Sequence, residues 1–142
     1  MEMNDEYRLI EYDDYWILPL AGKPVGRYFV DSRLTLEFFE PESETTMIVL
    51  GGDFTLEIDG KKQIMTAENP TTLGPVFALY RSVVESALAH KDGKLEINFR
   101  GGAKIIADPH PRFESWEVVG TRHLRVISQP GGGLAIWKPD PE

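Results

Sequence analysis

Apolar and polar residues alternate along much of this chain, and they do so in two stretches that resemble one another. Leu34, Leu36 and Phe38 alternate with Thr35 and Glu37, the period of two of a strand with one buried face. Leu95, Ile97 and Phe99 alternate with Glu96 and Asn98 in the same way. Residues 31–38 align without gaps on residues 92–99, and Leu56-Glu57-Ile58-Asp59-Gly60 matches Trp116-Glu117-Val118-Val119-Gly120. Pro70 and Pro130 follow those glycines at the same distance, with apolar Ile64 and Leu124 between. A unit of about 60 residues is therefore duplicated within the chain.

Each unit reads as strands joined by tight turns. In the first, Val25 to Val30 leads to a turn at Asp31-Ser32-Arg33, and Met47 to Leu50 follows the polar run Glu40-Pro41-Glu42-Ser43-Glu44. Phe54, Leu56 and Ile58 alternate again before Asp59-Gly60, a hairpin turn into Ile64-Met65-Thr66. In the second, Val83 to Ala89 leads to Asp92-Gly93, then come Leu95 to Phe99, Ala103 to Ala107, Trp116 with Val118, and Leu124 to Ser128. Leu134 to Trp137 supplies a closing strand after Gly131-Gly132-Gly133. Between the units, Val76, Leu79, Tyr80 and Val83 stand at helical spacing behind Pro75, which predicts a short helix near residues 75–82.

The expected fold is mainly β: two antiparallel units of about 60 residues related by a pseudo-twofold axis, with about ten strands and one short helix. Sandwich and barrel both bury the alternating faces and stay open. One domain spans 1–142, with an acidic, aromatic segment at 1–16, repeats at 17–70 and 71–137, and a tail at 138–142.

A hydrophobic fraction of 42% is that of a folded globular chain. No apolar run approaches the roughly 18 residues of a membrane span, and Met1 to Asp5 carries neither a basic nor an apolar leader region. With no cysteine there is no disulfide, thiol nucleophile or thiolate-held zinc; a cytoplasmic location is expected. Charge is distributed unevenly. Residues 1–60 hold 14 acids against four bases, and residues 61–142 hold nine acids against 11 bases. The acidic half argues against nucleic acid as a partner, because phosphates need a basic footprint. It suits a basic protein steered in by the field of one face, and it equally suits a surface whose acidity serves solubility alone.

Candidate chemistry is sparse. His90, His110 and His123 form no H-x-H or H-x-x-x-H spacing, so no metal is expected. Asp108-Pro109-His110-Pro111 reads as a stiff surface turn. Glu57 and Glu117 hold matching places in the aligned units, and a twofold axis that brought them together would make a carboxylate pair; each also alternates with apolar neighbours as a solvated strand residue does. Gly131-Gly132-Gly133 lacks the Lys and helix of a phosphate loop, and no serine sits in a G-x-S-x-G elbow. No cofactor is expected. Tyr7, Tyr12, Tyr15 and Trp16 intermingle with Glu11, Asp13 and Asp14; aromatics among carboxylates make contact surface for a basic partner, while Tyr15 and Trp16 also read as a cover for one end of the core, with Tyr7 and Tyr12 incidental.

Leu20-Ala21-Gly22-Lys23-Pro24-Val25, Arg112-Phe113-Glu114-Ser115-Trp116-Glu117-Val118-Val119-Gly120 and Pro130-Gly131-Gly132-Gly133-Leu134-Ala135-Ile136-Trp137 together resemble a family of small bacterial proteins, common in actinomycetes, catalogued as a domain of unknown function. The resemblance spans roughly residues 16–137. It implies a small, intracellular, β-rich protein without established enzymatic activity, and it carries over no functional residue. In type rather than motif, the chain also looks like the immunity proteins that neutralise interbacterial toxins.

These features favour a non-enzymatic binding protein, most concretely an immunity protein for a basic toxin. Glu11, Asp13, Asp14 and Tyr15, with Glu40, Glu42 and Glu44, are the expected contact residues. One alternative is a small-ligand-binding protein or hydrolase-like enzyme with a site between the repeats, using Glu57, Glu117 or His110. The other is a structural domain whose strand edges pair with a second copy, so that the chain is either a monomer or a homodimer.

Overall fold

The computed structural model describes residues 8–39 and 45–141. Two short strands, β1 (Ile10–Glu11) and β2 (Tyr15–Ile17), precede the repeats. The first repeat supplies β3 (Val25–Val30), β4 (Leu34–Phe38), β5 (Thr46–Leu50), β6 (Phe54–Ile58) and β7 (Lys61–Met65). The second supplies β8 (Val84–His90), β9 (Leu95–Phe99), β10 (Lys104–Ala107), β11 (Trp116–Val119), β12 (Arg125–Ser128) and β13 (Leu134–Trp137).

Neither sheet is one repeat. One sheet runs β1-β2-β8-β9-β10-β6-β7 and the other runs β13-β12-β11-β5-β4-β3, all pairs antiparallel. Each repeat gives its first three strands to one sheet and the remainder to the other, two from the first repeat and three from the second, so the two units are interwoven. The chain crosses between sheets at 51–53 and at 108–115, and the crossings are tied together: Gly51 and Gly52 both donate their N–H to the Ser115 carbonyl, at 2.8 and 3.1 Å. A Cβ on Gly52 would stand 3.2 Å from the Phe113 ring and 3.3 Å from the Ser115 side chain, so a glycine there lets the crossings touch.

The two sheets share one core. Leu34, Leu36 and Phe38 on β4 are buried, as are Leu95, Ile97 and Phe99 on β9, in keeping with the expected equivalence. Burial of each such side chain stabilises the fold by about 1.5–3 kcal/mol. Trp116 is buried and donates its indole N–H to the Gly93 carbonyl at 2.9 Å, where Ser128 Oγ also donates at 2.9 Å. Both bonds run from the six-stranded sheet to the β8–β9 turn of the other, so the sheets are bridged by polar bonds as well as apolar packing. With two open sheets packed face to face on that core, the fold is a sandwich.

Register corrects part of the alignment read from sequence. Leu36 pairs with Ile48, and Ile97 with Ile105, so Ile48 and Ile105 are counterparts. Across the seams Ile48 faces Val118 while Ile105 faces Leu56. Val118 therefore corresponds to Leu56 and Trp116 to Phe54, two residues away from the gapless match. The loops between strands differ in length between the repeats and nearly compensate, which is why the false match looked continuous.

Both repeats carry a bulge near the start, between Val25 and Arg27 against β4, and between Val84 and Ser86 against β9. Upstream of the bulges an isolated antiparallel bridge joins Pro24 to Val83. The bonds around it are reciprocal. Gly22 N–H donates to Val84 and Arg81 N–H to Val25; Val84 N–H donates to Lys23 and Val25 N–H to Ser82. The pseudo-twofold axis passes through this bridge.

The expected short helix between the repeats is a 3-10 helix, Pro70–Leu79, which begins and ends earlier than the expected 75–82. Its buried residues are Leu73, Val76 and Leu79, a spacing of three that matches three residues per turn. Tyr80 and Val83, which complete the α-helical stripe in the sequence, lie past its end. Tyr28 Oη donates to the Val76 carbonyl at 2.7 Å and its ring meets Phe77 edge-on at 5.0 Å. Burial pushes the Tyr28 phenol up to about 12, so it stays a donor throughout the neutral range. No helix among the described residues is long and apolar enough to cross a membrane.

Candidate functional site

The segment ahead of the repeats is a hairpin laid on the edge of the seven-stranded sheet. Ile10 pairs with Ile17 and Glu11 with Trp16, and Tyr12 N–H closes the turn on the Tyr15 carbonyl at 2.8 Å. Tyr12 and Tyr15 stack with ring centroids 5.2 Å apart and planes 20° from parallel. Asp13 and Asp14 are exposed at the tip, and Tyr12 is half-exposed beside them. Lys91 fastens the hairpin: its N–H donates to the Asp14 carbonyl at 2.8 Å and its ammonium bonds Glu11 Oε2 at 2.6 Å. The ammonium groups of Lys91 and Lys138 stand 5.8 and 5.7 Å from the centroid of the Trp16 ring, within cation–π range.

Of the expected contact residues, Asp13 and Asp14 project at the tip, Tyr15 is half-buried against its neighbours, and Glu11 is engaged with Lys91. Glu40, Glu42 and Glu44 lie outside the described residues, as does Tyr7.

Beneath the hairpin runs a polar ladder that sequence reading passed over. Tyr15 pairs with His90, ring centroids 6.0 Å apart. His90 Nε2 lies 3.2 Å from Glu96 Oε1, and Asn98 Nδ2 donates to Glu96 Oε2 at 2.9 Å and to Ser86 Oγ at 3.0 Å. Burial by itself raises the Glu96 pKa, but the hydrogen bonds from Asn98 and His90 and the charges of Lys104 and His90 outweigh it and hold the carboxyl below its ordinary value. His90 and Glu96 meet diagonally across a hairpin from six positions apart, so metal-ligand spacings do not reveal the pair. The visible signal is a histidine and a glutamate on the polar side of two strands flanking Asp92-Gly93.

Glu57 and Glu117 do not meet. Glu57 sits on β6 in the seven-stranded sheet, opposite Lys104 and Lys62, between buried Leu56 and half-buried Ile58. Glu117 sits on β11 in the other sheet and takes two bonds from Arg125, at 2.9 and 3.2 Å. Their neighbours Leu56, Trp116 and Val118 enter the shared core, so the two carboxylates point away from it on opposite sides. The revised register also removes their equivalence.

His110 joins neither carboxylate. Its ring stacks on Phe113 with centroids 3.7 Å apart, and its Nδ1 accepts the Arg112 N–H at 3.0 Å. A polar hollow of about 240 Å³ brings it near Asp53, Glu68 and Thr66. His123 bonds Asp140 near the C-terminus. Among the described residues, no group of three or more His, Asp or Glu is placed to hold a metal ion.

No curated protein and no solved structure matches the chain. A family model described as a family of unknown function, DUF6188, matches residues 16–138, from Trp16 on β2 to the residue after β13. The chain belongs to that family.

Proposed function

We propose that this DUF6188 member is a binding protein for a basic protein partner, its most concrete form being an immunity protein that occludes a toxin. The observation that carries the reading is the hairpin tip, where Asp13 and Asp14 are exposed beside the stacked Tyr12 and Tyr15. Carboxylates there meet Lys or Arg side chains without prior desolvation, and the tyrosine faces offer apolar and cation–π contact. Glu11, Lys91 and the flanking lysines on Trp16 hold the tip to the sheet before a partner arrives, which lowers the entropy lost on binding. The acidic run Glu40, Glu42 and Glu44 adds to the negative field of the same half of the sequence.

The reading is tested by charge reversal. Asp13→Lys with Asp14→Lys, and separately Glu40→Lys with Glu42→Lys and Glu44→Lys, are used as bait beside the unaltered chain in lysate of the source organism. A basic protein retained by the unaltered chain and lost on reversal supports the proposal. Its association rate with purified chain then falls steeply with added salt, and co-production of the chain suppresses its toxicity. Retention indifferent to both reversals overturns the docking role of the acidic segments.

A further inference from the structure

The duplication supplies an internal control for one cavity, because the same backbone occurs twice and most of the residues that line the cavity differ between the copies. Around the Pro24–Val83 bridge, reciprocal hydrogen bonds equate residue 22 with 81 and residue 25 with 84. Phe39 N–H donates to the Pro24 carbonyl as Arg100 N–H donates to the Val83 carbonyl, both at 2.9 Å, so Phe39 and Arg100 are counterparts as well. On one side Pro24, Val25, Gly26, Phe39, Tyr80 and Arg81 line a hollow of about 430 Å³. Where this side has Gly26, Phe39, Tyr80 and Arg81, the duplicate has Glu85, Arg100, Ala21 and Gly22.

Two of these differences run against local backbone preference or packing freedom. Arg81 has φ +69°, and its counterpart Gly22 has φ +85°. Glycine adopts that conformation freely, whereas an arginine there is strained, so nothing in the backbone calls for the side chain. Gly26 has no positive φ, yet a Cβ on it would lie 2.9 Å from the Phe39 Cβ. Its missing side chain gives Phe39 its place over the bulge.

The lining states the chemistry of an occupant. Pro24, Val25, Phe39 and Tyr80 present apolar surface, with Phe39 and Tyr80 each about half exposed (53% and 52%). Among the described residues Arg81 is the one charged residue of the lining; its guanidinium lies over the Tyr80 ring at 5.4 Å and forms no ion pair with them. An exposed guanidinium beside apolar walls matches a carboxylate on an apolar body, and the volume is that of a small-molecule site. We infer that this hollow binds a compact apolar carboxylate, an aromatic or branched organic acid, with its body against Phe39 and Tyr80 and its carboxylate on Arg81. The inference is independent of the acidic hairpin and of the protein partner proposed above.

Naphthoate and the uncharged naphthylmethanol are the probes, titrated into isotope-labelled chain and followed by backbone amide shifts. Saturable shifts are expected at the amides of residues 25, 26, 39, 80 and 81 with naphthoate. Arg81→Gln and Arg81→Gly weaken naphthoate by about tenfold or more and leave the weaker naphthylmethanol binding unchanged. The glycine variant copies Gly22, so it folds at least as well as the parent and keeps the test readable. Absence of saturable shifts, shifts mapping elsewhere, or equal naphthoate affinity in the parent and both variants overturns the inference. A peptide ending in phenylalanine that saturates the hollow when naphthoate does not also overturns it, in favour of a chain terminus as the occupant.

Discussion

Around Pro24 and around Val83 the backbone follows one plan twice, with reciprocal hydrogen bonds and a bulge in the following strand, while the side chains turned to the surface have parted. One junction carries Gly26, Phe39, Tyr80 and Arg81; the other carries Glu85, Arg100, Ala21 and Gly22. The difference separates two kinds of constraint. Pairing and burial hold the residues that build the sandwich, and the exposed positions are free to specialise. The aromatic, cation-rimmed hollow is therefore a feature of one copy and not of the fold.

The largest effects are expected in the core, where the counterparts act alike. Phe54→Ala and Trp116→Ala each remove a large buried side chain and should lower stability by about 3–5 kcal/mol. Trp116→Phe sharpens the comparison, since it keeps an aromatic ring but loses the donor to Gly93. Because Ser128 still donates to the Gly93 carbonyl, the lost hydrogen bond should cost about 0.5–1.5 kcal/mol in urea denaturation, with no parallel for Phe54. Equal tolerance of Trp116→Phe and Phe54→Leu would contradict the bridging role of the indole.

At the bulges, Gly26→Ala should cost about 1–3 kcal/mol by displacing Phe39, whereas Glu85→Ala at the duplicate position should stay within about 0.5 kcal/mol. Thermal denaturation of the pair checks this. Gly22→Ala meets no atom within 4 Å of the new Cβ, so its expected cost of about 1–2 kcal/mol comes from the left-handed backbone alone.

Glu96 breaks the symmetry through pH. Its aligned counterpart is Thr35, which does not titrate. The folded carboxyl lies below its ordinary value of 4.5, so the stability it contributes is present above that value and is lost as pH falls through the lowered folded pKa. Glu96→Gln should flatten that part of the acid limb, while Thr35→Val leaves its shape unchanged. Acid titration of unfolding free energy in the three chains measures it.

Much of the sandwich is legible in sequence because its strands bury one face: Leu34, Leu36 and Phe38, and Leu95, Ile97 and Phe99, announce themselves by alternation. The interweaving is not legible, since period two says which face is buried and not which sheet receives it. Nor is the register at the seams, where loop lengths compensate and Leu56 aligned with Trp116 instead of Phe54. The strands of the N-terminal hairpin do not show in the sequence pattern because they are two and three residues long, and β2 pairs with β8 far along the chain. In the hairpin, Asp13 and Asp14 were recognisable as exposed acids, but Glu11 engages a lysine 80 positions away, a contact that local pattern does not contain. The hollow escaped for the same reason: Phe39 and Arg81 are far apart in sequence and meet only through the pseudo-twofold bridge.

The central claim is that framework and surface diverged separately after duplication, and it is tested most directly by making one junction copy the other. Tyr80→Ala combined with Arg81→Gly writes Ala21-Gly22 into the second junction. If the side chains of Tyr80 and Arg81 serve the surface and not the fold, the melting temperature of this variant equals or exceeds that of the parent, because a strained left-handed residue has become glycine. A clear fall in melting temperature would show that Tyr80 and Arg81 hold the sandwich together, and would contradict the separation.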